Sequence, residues 1–95
     1  MPNERFTSIW DALADSPAEA ENLRIRSQLM IAITQSVEAW GESQIQSAKR
    51  LGVTQPRLND LLKGRIEKFS LDALVNLLSG AGLAIEINVK PQQAA

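Results

Sequence analysis

"LGVTQPRLNDLLKG", residues 51–64, is the stretch that decides the fold of this 95-residue chain. Gly52 and Gly64 are typical of helix ends, and the Thr54 hydroxyl can cap the first turn of the helix between them. The apolar residues that share one side of that short helix are Leu58, Leu61 and Leu62. Two short helices joined by a tight glycine turn, the first ending at Leu51, predict a helix-turn-helix.

The flanking residues predict where the first of these two helices begins, and they predict two more helices. Ser43 and Gln46 are spaced as a capping box, and the helix that they begin is expected to bury Ile45, Ala48 and Leu51. Upstream, Ser16 and Gly41 bound a longer helix. Its apolar stripe is Met30, Ile33, Val37 and Trp40. Downstream, Ser70 caps a helix whose stripe is Leu71, Leu74, Val75 and Leu78.

The two ends of the chain differ from this central part. Residues 1–15 form an amphipathic segment too short to be stable alone, with the apolar residues Phe6, Ile9, Trp10 and Leu13. Residues 16–82 are expected to form the helix-turn-helix domain, with the motif itself at about 43–63. Residues 83–90 alternate as a strand does, with Leu83, Ile85, Ile87 and Val89 on one side. Because one strand needs a partner, these four residues are expected to contact a second copy of the chain.

Charge is distributed unevenly along the chain, although the net charge is only −1. Residues 1–40 contain three basic and six acidic residues, a net of −3, whereas residues 48–68 contain six basic and two acidic residues, a net of +4. This asymmetry indicates two different kinds of partner.

Composition also excludes several classes of protein. The chain has no histidine and no cysteine, so the usual metal sites, a disulfide framework and the common catalytic groups are not expected. We therefore predict no catalytic activity, no metal, no cofactor and no small-molecule substrate. No apolar run is long enough to span a membrane, and a cytoplasmic location with no membrane partner is expected.

The polar side of the helix after Thr54 carries Pro56, Asn59, Asp60 and Lys63, with Gln55 at its start. The carboxamides of Gln55 and Asn59 can each form two hydrogen bonds with the major-groove edge of adenine, and Arg57 can fork onto guanine or a phosphate. Basic residues are spaced around this side as phosphate contacts would be, at Arg50, Lys63, Arg65 and Lys68. The alternative is an ordinary solvated surface on which Arg57, Asp60 and Lys63 pair with one another.

Residues 43–83, "SQIQSAKRLGVTQPRLNDLLKGRIEKFSLDALVNLLSGAGL", resemble the XRE (phage-repressor-like) helix-turn-helix family. The matching features are Gln44, Ala48, the turn at 51–54, the leucines that follow it, and the capped helix after Phe69. Within that family the chain is most similar to short HigA-type antitoxins, which have a lead-in like residues 11–30. The fold that this implies is all-α, a five-helix lambda-repressor-like domain followed by a short C-terminal β-strand.

The resemblance also implies a function, that of a homodimeric transcriptional repressor on palindromic double-stranded operator DNA. The residues that would face bases are Gln55, Pro56, Arg57, Asn59 and Asp60. Those that would contact phosphates are Gln44, Arg50, Thr54, Lys63, Arg65, Lys68 and Ser70. One departure is Pro56, which stands where many phage repressors have a polar base-contacting side chain.

Antitoxins of this type repress their own operon and bind a RelE/HigB-like ribonuclease toxin, the second protein of a type II toxin-antitoxin system. Such a toxin is basic, and the acidic first half of this chain fits it, with Phe6, Ile9, Trp10 and Leu13 as the expected contacts. Those four residues could instead pack on the domain's own core. A stand-alone regulator without a toxin, and a protein-binding module of the same fold, remain alternatives.

Overall fold

A computed structural model describes residues 14–92 of the chain. Its regular structure is entirely helical, which confirms the all-α class. The elements are α1 (Pro17–Trp40), α2 (Gln44–Leu51), α3 (Gln55–Leu62), a 3-10 helix (Ile66–Lys68) and α4 (Leu71–Leu77). None of the helices found in this part of the chain is long and apolar enough to cross a membrane.

The helices begin where the hydroxyl side chains predict. Ser16, Ser43, Thr54 and Ser70 each accept a hydrogen bond from the backbone N–H three residues further on, over 3.1–3.3 Å. Each bond satisfies one of the backbone donors that the first turn of a helix leaves without a partner. The α1 helix also ends as predicted, at Gly41.

The core lies where α1 crosses the other helices. Helix α1 packs against α4, the 3-10 helix and α3, and α2 packs against α3. The core residues are Met30, Ile33, Val37, Ala48, Leu51, Leu58, Leu61, Phe69, Leu74, Leu78 and Ala81. They come from all four α-helices of the described region and from the segments on both sides of α4, so the buried side of α3 packs on a core to which each of these helices contributes.

Two residues that were expected to be buried are exposed. Ile45 is 54% exposed and Val75 is 40% exposed. In α2 the buried residues are Ser47, Ala48 and Leu51, so the side that faces the core is turned away from Ile45. A helix of two turns is too short for its apolar residues to define that side alone, and packing against α3 decides it.

The part of the chain that the structure describes does not contain the predicted C-terminal strand, and it does not test the five-helix count. Residues 14–92 hold four α-helices, and the predicted N-terminal segment lies mainly in residues 1–13. That region, with Phe6, Ile9, Trp10 and Leu13, is outside the described residues. The strand residues Leu83, Ile85, Ile87 and Val89 have neither helical nor strand structure. A strand exists only when its backbone bonds to a neighbouring strand, and no other segment of residues 14–92 supplies one.

The end of α4 makes a close backbone contact with the end of α2. A methyl group built on Gly80 would lie 2.9 Å from the carbonyl oxygen of Leu51 and 3.2 Å from that of Arg50. Only a residue without a side chain allows the two chain segments to approach this closely. Gly80 therefore sets the distance between α4 and the first helix of the helix-turn-helix.

Candidate nucleic-acid interface

The α2–α3 turn is three residues long and is held by backbone hydrogen bonds. The N–H groups of Gly52 and Val53 both donate to the carbonyl oxygen of Ala48, each over 2.9 Å. Gly52 has φ +83°, the left-handed conformation that favours glycine. Thr54 then begins α3 by accepting from the Arg57 N–H over 3.3 Å. These bonds fix the direction in which α3 leaves α2.

The two sides of α3 have opposite environments. Leu58 is 0% exposed and Leu61 is 1% exposed, which seats the helix firmly on the core. On the other side Gln55, Pro56 and Lys63 are exposed. Asn59 and Asp60 also belong to this side and are partly exposed. We call the surface formed by these five outward residues the α3 face; it is the arrangement in which a second helix can enter the major groove.

Arg57 lies at the edge of the α3 face and contacts the chain beyond it. Its guanidinium carbon is 4.1 Å from the centre of the Phe69 ring. One guanidinium nitrogen, Nη1, donates to the carbonyl oxygen of Lys68 over 2.8 Å. Arg57 is thus bound within the domain, although the sequence placed it among the residues that face bases.

Two other arginines expected at phosphates also form internal contacts. The Arg65 Nη1 donates to the Asp60 carboxylate over 2.9 Å. The Arg50 Nη1 donates to the Glu42 carboxylate over 2.9 Å, and the Arg50 guanidinium carbon lies 4.2 Å from the Trp40 ring centre. The side chains of both arginines remain about half exposed. They can exchange their carboxylate for a phosphate with little rearrangement, because ion pairs this exposed are weak.

The remaining residues expected at phosphates lie on the surface around the α3 face. They are Gln44, Thr54, Lys63, Lys68 and Ser70, all exposed. Lys63 and Lys68 form no ion pair with other residues in the range 14–92. Gln44 is the first residue of α2, next to N–H groups that point out of the helix end. Gln44, Thr54 and Ser70 thus stand at the starts of α2, α3 and α4, and Lys63 and Lys68 lie between α3 and α4.

Sequence reasoning missed Arg26, which ties α1 to the segment after α3. Its Nη1 donates to the carbonyl oxygens of Ile66 and Phe69, over 3.2 and 3.1 Å. Its Nε donates to the Asn22 side chain over 2.6 Å. No local pattern announces this role, because Arg26 and its two carbonyl partners are 40 and 43 residues apart in the chain.

A separate groove of about 730 Å³ lies between α1, α4 and the C-terminal segment. Ile25, Leu29, Val75 and Ile85 are among its apolar lining residues. Glu21 and Arg24 are also part of the lining. The Arg24 Nε donates to the Glu21 carboxylate over 2.6 Å, and this hydrogen bond holds the pKa of Glu21 below its usual value. No residue of α2 or α3 lines this groove, so it is distinct from the α3 face.

A comparison with protein families agrees with this geometry. The model of a family described as "Helix-turn-helix domain" matches residues 12–90. The chain belongs to this helix-turn-helix family. No match was found among curated proteins. The helix-turn-helix domain is a DNA-binding domain of transcription regulators, and the match extends from before α1 to the end of the C-terminal segment.

Proposed function

We propose that this helix-turn-helix protein is a sequence-specific transcriptional repressor of the XRE type. The observation that supports it best is the two-sided α3 helix, with Leu58 and Leu61 fully buried and the opposite side polar. In this arrangement α3 enters the major groove of operator DNA while α2 crosses the backbone. The proposal assigns the protein no catalytic activity and a cytoplasmic location.

The charges around the α3 face support binding to a polyanion. Residues 48–68 carry six basic and two acidic residues, and the two acidic residues do not bind Lys63 or Lys68. A lysine next to a phosphate releases condensed counterions, so affinity falls as salt is raised. Lys63 and Lys68 are therefore proposed to contact phosphates.

The test is a titration of the purified protein with its own upstream DNA and with an unrelated duplex, at two or more salt concentrations. Specific, salt-sensitive binding is expected. A plot of log affinity against log salt concentration has a negative slope, to which each phosphate contact contributes roughly −0.9. The double variant Lys63→Ala with Lys68→Ala should therefore make this slope less steep by about 2. Arg24→Ala removes a basic residue of α1 that lines the separate groove and not the α3 face, and it should leave the slope unchanged. If the wild-type protein bound both duplexes equally, the repressor proposal would be wrong.

We further propose that the repressor is a homodimer in which residues 83–90 of two copies pair as antiparallel strands. Ile85, Ile87 and Val89 are 42%, 80% and 88% exposed. In a paired strand these alternate residues share one face, where each would pack beside an apolar residue of the other copy, while the backbone groups of the edge would be hydrogen-bonded. Centring the pair on Ile87 places it opposite itself and places Ile85 opposite Val89. Pro91 has no N–H, so it ends the pairing.

Cysteine cross-linking tests this arrangement, because the natural chain contains no cysteine. Ile87→Cys should form a disulfide-linked dimer under mild oxidation, since the two side chains meet at the symmetry axis. Glu86→Cys is the matched control, because in this register residue 86 faces Asn88 and not itself. Efficient cross-linking through residue 86, or a wild-type protein that sediments as a monomer at high concentration, would contradict the proposal.

Finally, we propose that the repressor is the antitoxin of a type II toxin-antitoxin pair and neutralises a RelE/HigB-like toxin. The resemblance of residues 11–30 to HigA-type lead-ins supports this, as does the acidic character of the α1 region. Between Asp15 and Glu38 the chain carries four acidic and two basic residues, which suits a basic partner.

Co-expression with a RelE/HigB-like ribonuclease tests the antitoxin role. The full chain should restore growth and co-elute with the toxin. A chain with Phe6 and Trp10 both changed to Ala should fail to do so while still binding operator DNA. If the full chain bound no toxin but still bound its operator, the protein would be a stand-alone regulator.

A further inference from the structure

Two arginines from different helices bind the backbone of the segment between α3 and α4. Arg26 on α1 donates to the carbonyl oxygens of Ile66 and Phe69, over 3.2 and 3.1 Å. Arg57 on α3 donates to the carbonyl oxygen of Lys68 over 2.8 Å. Three of the four carbonyl groups in residues 66–69 are thus bound by guanidinium groups. We call this arrangement the arginine clamp.

Arg57 is the member of the clamp that also touches the core. Its guanidinium lies over Phe69 at 4.1 Å, and Phe69 is only 1% exposed. To reach a guanine, the guanidinium would have to leave the ring and the Lys68 carbonyl, and the aromatic face would then meet water. These contacts favour the position in which Arg57 already lies.

The clamp leaves few groups available for base recognition. Pro56 has no polar group, and the negative charge of the Asp60 carboxylate is repelled by the phosphates on both sides of the groove. The outward side chains of α3 that can read a base edge are then Gln55 and Asn59. Both are carboxamides, which match the N6 donor and N7 acceptor of adenine.

From these contacts we infer that Arg57 is a positioning residue, and that Gln55 and Asn59 select adenine in the operator half-site. Arg57 fixes the segment that carries Lys68, so that this lysine meets the DNA backbone while α3 lies in the groove. This inference rests on the proposed DNA-binding function and deepens it. It predicts that α3 discriminates A·T pairs through carboxamides and not G·C pairs through a guanidinium.

The test is selection of binding sites from a pool of random duplexes, with the preferred sequence and its affinity measured for each variant. Gln55→Ala and Asn59→Ala should each flatten the preference for adenine at one position, by about 5- to 150-fold in discrimination. Arg57→Ala should weaken binding to all duplexes by a similar factor and leave the preferred sequence unchanged. Arg57→Lys, which keeps the charge, should recover part of the affinity.

Phe69→Leu distinguishes a positioning role of Arg57 from a base contact. It removes the ring on which the guanidinium lies, while the arginine side chain itself is still present. It should weaken binding in the same uniform way as Arg57→Ala, with thermal unfolding confirming that the variant is folded. Loss of a guanine preference in Arg57→Ala or Arg57→Lys, with Phe69→Leu unaffected, would overturn the inference. A wild-type protein that selects no sequence would overturn the proposed function itself.

Discussion

Replacement of Gly80 by alanine tests the close contact between the ends of α4 and α2. The added methyl group would lie 2.9 Å from the Leu51 carbonyl oxygen, and neither atom is at the end of a flexible side chain. Gly80 does not have a positive φ, so alanine suits its backbone and would otherwise stabilise the protein by about 0.4–1 kcal/mol. Overpacking costs about 1–3 kcal/mol. We therefore expect a net loss of roughly 1–2 kcal/mol in the free energy of unfolding.

Urea and thermal unfolding followed by circular dichroism measure this loss. A net change of that size lowers the melting temperature of a domain this small by about 4–15 °C. Ser79→Ala is the control, since it alters an exposed neighbour and should change stability by less than about 0.5 kcal/mol. If Gly80→Ala were as stable as the wild type or more stable, the backbone contact would not exist in solution.

Three further predictions concern stability. Leu58→Ala should cost about 2–5 kcal/mol in urea unfolding, and clearly more than Leu62→Ala, because Leu58 is 0% exposed and Leu62 is only partly buried; equal losses would contradict the described core. Thr54→Ala should cost about 1 kcal/mol through loss of the α3 cap, while Thr54→Ser keeps the hydroxyl and should cost little; equal losses would mean that the cap is unimportant. Because the Arg24 hydrogen bond lowers the pKa of Glu21, the stabilisation that this carboxylate provides is present above its unfolded pKa and is lost as pH falls through its folded pKa. The small stability difference between the wild type and Glu21→Gln should therefore be fully present above the usual glutamate pKa and shrink as the pH falls through the lowered pKa of Glu21, and a difference that grew on acidification would refute the assignment.

The helix boundaries could be predicted from the sequence because capping is local. Ser43 and Thr54 act on N–H groups three residues away, so neighbouring residues contain the required information. The buried side of α2 could not be predicted, because the packing of this helix against α3 decides that Ser47 faces the core and that Ile45 is exposed. The strand at 83–90 depends on a neighbouring strand, which the described part of one chain does not contain.

The outward side of α3 could be predicted from the sequence, but the contacts of the charged residues near it could not. The spacing of the leucines already indicated which side of α3 faces outward, and the structure agrees for Gln55 and Lys63. The bonds of Arg57 to Lys68 and of Arg26 to Ile66 and Phe69 join residues that are distant in sequence. The residues next to an arginine in the sequence do not show whether its guanidinium is available to a ligand or is hydrogen-bonded within the domain.

The length of α3 limits how much DNA one copy can recognise. Its eight residues extend about 12 Å along the helix axis, which equals the rise of about three to four base pairs. A sequence that short recurs by chance about once in roughly 60 to 260 base pairs, so a genome contains thousands of equivalent positions that compete for the protein. In the proposed homodimer, a second α3 at a fixed distance supplies the additional information. The spacing between the two copies is then as much a part of the recognised sequence as the bases themselves.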